Sequence, residues 1–325
     1  MVTPAPDRLQ SRLWRVFRIA YREMFEFASY RRRSVNAFVS PLFLVPTVVF
    51  VLRLLRLDRE ITANGVANAM RRILGRYYRG VSVIRGTVPS SGPVLLVGNH
   101  PGLGDLPALA VATKRRDLFA IAKKRALMRD MPGVLSRCVV IDETLSSRAR
   151  AIRRIVEIAR EGGAIVVYPA GSIEPDPALV GADQPILAEW PSFVDGIARR
   201  LLREGLSVPV VPVYTEGVHV VPRHFRRVAY RRSGLPHEGR AALITMASRR
   251  SRFHAVRIAF GDPIDPRIEF ARDTAATGDP VTRRVRREVC ELRDSAVCAS
   301  VSVRRGTEPR TQLRGDRCMD STLSA

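Results

Sequence analysis

Short unbroken apolar runs alternate along this chain with longer stretches in which apolar residues recur every three or four positions. The short runs fall at 81–84, 94–97, 118–122, 138–141, 164–168, 210–214 and 256–260. A run that is apolar at every position, rather than at alternate ones, predicts a strand covered on both faces, as in a mostly parallel sheet. Helical spacing predicts helices near 105–115, 146–161, 192–205 and 280–298; in the last of these Val281, Val285, Val289 and Leu292 share one face. The expected fold class is α/β, with a mostly parallel central sheet flanked by helices. Pro209 and Pro212 cannot donate ladder hydrogen bonds, so their strand is expected at a sheet edge or in a locally irregular place.

The first sixty residues have a different pattern. Over 8–28, Leu9, Leu13, Val16, Phe17, Ala20, Met24 and Phe27 fall on one helical face, and Arg8, Arg12, Arg15, Arg18 and Arg22 on the other. Such a basic amphipathic helix can lie in a lipid headgroup layer, or pack its apolar stripe on its own domain. Residues 34–52 carry no charge, a length of roughly 28 Å as helix, about one hydrocarbon thickness. Pro41 and Pro46 interrupt that run, and Arg31, Arg32 and Arg33 stand before it with Arg53, Arg56 and Arg59 after it. Positive charge on both flanks gives an insertion no preferred direction, so a kinked or re-entrant segment entering from the cytoplasmic face is expected rather than a crossing. An amphipathic stretch at 61–79 follows. The expected organisation is a membrane-associating segment at 1–60, the α/β domain at 61–299 and a disordered tail at 300–325, rich in Ser, Thr, Arg and Gly.

Charge narrows the partners. The 325 residues hold 54 basic and 31 acidic side chains, a formal charge of +23. Only Lys114, Lys123 and Lys124 are lysines, so the excess is almost wholly arginine. A chain of this sign is drawn to anionic surfaces, either the phosphate layer of a membrane or a nucleic acid. Cys138, Cys290, Cys298 and Cys318 form no C-x-x-C pair and have no histidine at zinc-ligand spacing, which supports neither a metal ribbon nor a disulfide scaffold.

The chemistry concentrates where the second run ends, in Asn99-His100-Pro101-Gly102-Leu103-Gly104-Asp105. The histidine lies in a strand-end turn and the aspartate at the start of the next helix. A carboxylate so placed can hold one imidazole nitrogen and leave the other free to take a proton. Gly102-Leu103-Gly104 begins like a dinucleotide-binding fingerprint, but Pro107 stands at its third glycine position. No G-x-S-x-G elbow occurs, which disfavours a serine hydrolase of the usual α/β type.

In these residues the chain resembles the glycerolipid acyltransferases, whose best-known members are the lysophosphatidate acyltransferases. Their first motif is His-x4-Asp, often preceded by Asn, and is matched by Asn99, His100 and Asp105. Their second, ending Phe-Ile-Asp-Arg, resembles Val139-Val140-Ile141-Asp142-Glu143, which follows Lys123 and Lys124. Their third, Phe-Pro-Glu-Gly-Thr-Arg, resembles Tyr168-Pro169-Ala170-Gly171-Ser172-Ile173, and the fourth, a proline-containing apolar strand, Val208-Pro209-Val210-Val211-Pro212-Val213. The resemblance covers about residues 80–265. It implies transfer of a fatty acyl chain from acyl-CoA or acyl carrier protein, as co-substrate with no further cofactor, to a hydroxyl or amine of a lysophospholipid or related membrane lipid. His100 is implied as general base and Asp105 as the group that orients it. Substrate contacts are expected from Asn99, Lys123, Lys124, Gly171, Ser172 and Glu174, with backbone N–H groups near Gly171 and Ser172 facing the developing oxyanion.

The departures from the motifs bear on the acceptor. Glu143 and Ile173 replace arginines of the family's pattern, and Ala170 replaces its glutamate. Lys123, Lys124, Arg148 or Arg150 could supply the missing positive charge, and Glu174 could meet an amine or sugar hydroxyl instead. Two other classes remain open at this point. One is a nucleic-acid-binding protein, motivated by Arg223, Arg226, Arg227, Arg231 and Arg232, although aromatics are only 6% and are not interleaved with the arginines. The other is a catalytically degenerate relative that binds lipid or acyl carrier without turnover.

Overall fold

The structure, a computed structural model, describes residues 13–23, 33–180, 184–229, 237–247, 252–273 and 278–306. Seven strands form one sheet: β1 (Gly80–Arg85), β2 (Val94–Gly98), β3 (Leu118–Lys123), β4 (Cys138–Ile141), β5 (Ala164–Val167), β6 (Val210–Glu216) and β7 (Ala255–Phe260). All seven apolar runs are strands. Their order is β1-β7-β6-β2-β5-β3-β4, parallel throughout except for the β6–β7 pair.

The continuous apolar runs are explained by the layers on either side. Leu95 and Val97 of β2 face a core shared with α6 (Leu145–Arg160), α7 (Phe193–Arg203) and α11 (Pro280–Gly306), through Ile155, Ile197 and Val285. Val94 and Leu96 face the opposite layer, α3 (Val66–Tyr77) and α4 (Asp105–Thr113), through Met70, Leu74 and Leu109. Both sets are withdrawn from water, which contributes about 1.5–3 kcal/mol for each fully buried aliphatic side chain. β2, β5 and β6 are buried along their whole lengths, whereas the edge strand β1 is half-exposed.

β6 takes the second of the two expected places, the locally irregular one. It lies between β2 and β7 and is not an edge strand. Pro209 precedes the strand, and Pro212 is tolerated because the ladder is irregular where it falls. Between the bridges Val210↔Ile264 and Val213↔Phe260, three residues of the returning chain face two of β6. The bulge sits opposite Pro212, so its missing N–H interrupts no regular pair, while its carbonyl still accepts from Gly261 N–H at 2.9 Å.

The N-terminal region departs from expectation. Residues 13–23 form α1, and its neighbour α2 is a single helix over Arg33–Asn64. α2 continues through Pro41 and Pro46 without a break, because each proline removes one donor and leaves the flanking turns to hold the helix. The expected stretch at 61–79 is instead divided at Gly65, whose φ of 78° ends α2 and starts α3. Val16 and Ala20 of α1 are buried against Val51 and Leu55 of α2, and Arg15 pairs with Asp130 at 3.0 Å, so α1 packs on its own domain. Leu9, Met24, Phe27, Arg8 and Arg12 lie outside the described residues. Among the described residues no helix is long and apolar enough to cross a membrane. At the other end α11 runs to Gly306, past the residue at which a tail was expected; residues 307–325 are not described.

The remaining helices are α5 (Pro132–Leu135), α8 (Arg226–Ala229), α9 (Glu238–Ala247) and α10 (Pro266–Arg272). α8 and α9 belong to an excursion between β6 and β7. That excursion leaves from the end of the sheet at which β2 delivers His100, since Gly98 pairs Val213 and Glu216 pairs Arg257.

Candidate active site

β2 and β5 are adjacent and parallel with Val97 opposite Val167, so the residues that follow them leave the sheet at one level. His100 leaves from one strand and Tyr168 from the other. Their rings stack with centroids 4.4 Å apart and an interplanar angle of 11°. In the sequence Tyr168 stands out only as the first residue of the third motif. An aromatic at the end of the neighbouring parallel strand was the available signal.

His100 Nδ1 lies 2.6 Å from Asp105 Oδ2. Asp105 is only 1% exposed and opens α4, and its carboxylate also accepts from Gly102 N–H at 3.2 Å and Leu106 N–H at 2.5 Å. An ionised carboxylate can only accept, so Nδ1 carries the proton that it donates to Asp105, and Nε2 keeps its lone pair. The histidine side chain is 25% exposed, which leaves it open to a substrate. Burial works against the charged imidazolium, but the Asp105 charge and hydrogen bond prevail, with Glu174 adding to them, and hold His100 above its ordinary value. Burial first, and then the Asp105 charge, keeps the Tyr168 phenol protonated.

The loop is fixed from several sides. His100 N–H donates to Glu174 Oε2 at 2.9 Å, and Glu174 N–H donates to the His100 carbonyl at 2.8 Å. The other Glu174 oxygen accepts from Ala188 N–H at 2.8 Å and Trp190 Nε1–H at 3.0 Å. Gly102 passes so close to His219 that a Cβ there would lie 2.7 Å from the ring, so only glycine fits. The Tyr78 hydroxyl donates to the Val218 carbonyl at 2.6 Å on the same side of the loop.

These bonds and one ion pair turn three expected substrate contacts toward the protein's own groups. Glu174 is 1% exposed with its carboxylate occupied by the protein's own donors, so it is a brace for the His100 loop and cannot meet an acceptor headgroup. Asn99 is fully buried and exchanges two 2.8 Å bonds with Thr215 N–H and C=O, its side chain imitating one more step of the β2–β6 ladder. Lys124 pairs with Asp142 at 3.2 Å, and that carboxylate, held below its usual range by the Thr144 hydroxyl first and Lys124 later, fixes the turn before α6.

Lys123, Gly171 and Ser172 are brought together. Gly171 has φ 62°, a left-handed turn that glycine adopts without strain, and a Cβ built on it would lie 3.8 Å from Lys123 Nζ. Lys123 is exposed and has no carboxylate partner among the described residues. Gly171 N–H donates to the Tyr168 carbonyl at 3.1 Å and is not free for an oxyanion. Ser172 is exposed in the same turn, and no helix follows it for its hydroxyl to cap. Arg148 and Arg150 are exposed on α6, and Glu143 is exposed beside them.

Residues 81–216 match the family model described as Acyltransferase. The matched segment runs from β1 to the end of β6 and holds His100, Asp105, Lys123, Tyr168, Gly171, Ser172 and Glu174, while Tyr78, Val218 and His219 lie just outside it. Among solved structures, the chain is similar to the 1-acyl-sn-glycerophosphate acyltransferase PlsC of Thermotoga maritima, at 17% identity and a TM-score of 0.42, over 86% of this chain and 97% of that one. No curated relative matches it in sequence.

Proposed function

We propose, from the match of residues 81–216 to the family model described as Acyltransferase and from the site geometry, that the chain moves a fatty acyl group from a thioester, acyl-CoA or acyl carrier protein, to a hydroxyl of a lysophospholipid or related membrane lipid. The observation that carries this reading is the 2.6 Å contact between His100 Nδ1 and a buried Asp105 beneath a part-open imidazole. Nε2 takes the proton of the acceptor hydroxyl as its oxygen attacks the thioester carbonyl carbon. The C–S bond then breaks, and the thiolate leaves with the proton returned by His100. Asp105 positions the ring and stabilises the imidazolium that forms between the two steps. The Ser172 N–H and hydroxyl, in the turn beside Lys123, are the groups assigned to the developing oxyanion.

The site is brought to its acceptor by α1 and α2. Arg53 of α2 donates to the Tyr77 hydroxyl at 2.5 Å, and Arg72 of α3 pairs with Glu60 at 2.8 Å, so the two helices run antiparallel. Residues before Arg53 therefore extend beyond the end of α3, the same end at which the Tyr78 hydroxyl donates to the Val218 carbonyl beside Gly102 and Gly104. There Leu44, Val45, Val48, Val49 and Leu52 are all exposed, and Trp14 of α1 is exposed too. Apolar side chains beside an arginine-rich surface suit the headgroup boundary of an anionic cytoplasmic leaflet.

Lys123 is assigned to the acceptor's phosphate, in place of the arginines that Glu143 and Ile173 replace. A charge-assisted contact of this kind is stronger than a neutral one. In a panel of phosphate-headed, uncharged and amino-headed acceptors, Lys123→Ala is expected to raise KM for the phosphate-headed lipid about 10-fold with kcat little changed. An unchanged KM, or wild-type preference for an uncharged acceptor, contradicts the assignment.

A further inference from the structure

Arg223 and Arg227 take no part in the hydrogen bonds around His100, yet the excursion that carries them is rooted beside that site. Gly217 and His219 N–H donate to the buried Asp176 at 2.9 and 2.6 Å, two residues beyond the glutamate that braces His100. Val220 N–H donates to Thr245 Oγ1 of α9 at 2.8 Å, and on the return Arg79 N–H donates to the His254 carbonyl at 2.9 Å. The base of the excursion is thus fixed at the catalytic end of the sheet.

Its surface is apolar and basic together. Phe225 is 44% exposed, Val228 46% and Phe253 79%. Arg223, Arg227 and Arg252 are exposed beside them, with no carboxylate partner among the described residues. Arg231 and Arg232 are outside the described residues. This excursion stands on the β6–β7–β1 side of the site. The exposed stripe of α2 stands on the other side, where Val51 packs with Leu127 just after β3. The His100 loop lies between two surfaces of one character.

We propose that the excursion between β6 and β7 is a second bilayer contact, its phenylalanines entering the headgroup boundary of an anionic membrane and its arginines pairing with lipid phosphate. The inference rests on the membrane-acceptor reading above and adds that the chain is held on both flanks of the site. Exposed Phe and Val side chains are costly in water, and aromatics are favoured at the headgroup level. Two such surfaces at one end of a sheet fit a broad planar partner. The aliphatic stripe on α2 offers nothing on which a nucleic acid base could stack.

The test uses the full chain with a tryptophan reporter at each surface, Phe253→Trp and Val45→Trp, read against the wild-type background. Vesicles of phosphatidylglycerol and phosphatidylcholine carry bromine on the acyl chains as quencher. Quenching at both reporters is the expected result. Arg223→Gln/Arg227→Gln should weaken vesicle binding roughly 20-fold at low salt. Quenching at residue 45 but not at 253 overturns the second contact and leaves the membrane reading standing. Quenching at neither overturns both. A response of the residue-253 reporter to single-stranded DNA but not to vesicles assigns the surface to nucleic acid and overturns the proposal.

Discussion

Asp105→Asn is expected to lower the acyl-transfer rate about 10²–10⁴-fold. An amide in place of the carboxylate no longer selects the tautomer with the proton on Nδ1, and it withdraws the charge that stabilises the imidazolium during attack. The pH profile separates this account from a merely structural role. The active form has neutral Nε2, so wild-type kcat/KM should rise with pH and level off above a midpoint higher than the ordinary histidine value of about 6.5. The raised value comes from the Asp105 charge and hydrogen bond acting against burial. With the carboxylate gone, burial is opposed only by the Glu174 charge, and the residual activity should show a lower midpoint. An unmoved midpoint would place Asp105 outside the proton transfer.

Glu174→Ala is expected to cost on the order of 3 kcal/mol of folding stability, because the buried Trp190 Nε1–H and the part-buried His100 and Ala188 N–H groups lose their acceptor together. Thermal unfolding should fall by roughly 3–6 °C for a chain of this size, and Trp190 emission should shift as its indole N–H meets water. Activity should fall below what stability alone explains, since the backbone of His100 is released. Glu174→Gln keeps one carbonyl acceptor and should lose less on each count. A Glu174→Ala protein that unfolds like wild type but no longer discriminates among acceptor headgroups would return this residue to the substrate.

The strands could be read from the sequence because the layers make them so. β2, β5 and β6 are covered on both faces, and a strand so covered is apolar at every position, which is a strong local signal. The His100–Asp105 pair was readable for a related reason, its two members being five residues apart across one turn. What the sequence concealed depends on partners brought from far along the chain. Glu174 looks like a free carboxylate until Trp190 and Ala188 fold over it. Asn99 next to a reactive histidine looks like a substrate contact until Thr215 arrives beside it. Lys123 and Lys124 are neighbours of equal charge, and only the pleat of β3 decides that one reaches Gly171 and the other Asp142. Pro212 points to an edge by the usual rule for proline, and the bulge that admits it to a central strand is formed by residues some fifty positions away. For α1 the helix is borne out over 13–23 and the partner of its stripe was ambiguous, since an apolar stripe fits a lipid layer or α2 equally well; Val16 and Ala20 choose α2, while Leu13 stays exposed.

The central claim is that the imidazole of His100 removes the acceptor proton. It is tested most directly by mixing the folded wild-type chain and His100→Ala with an acyl thioester and lysophospholipid vesicles, and measuring free thiol together with the acylated lipid. Wild type should release one thiol for each lipid acylated, and His100→Ala should fall about 10³-fold or more, with its fold and vesicle binding intact. Acylation by His100→Ala at the wild-type rate, or a wild-type chain that binds both substrates and releases no thiol, would contradict the account.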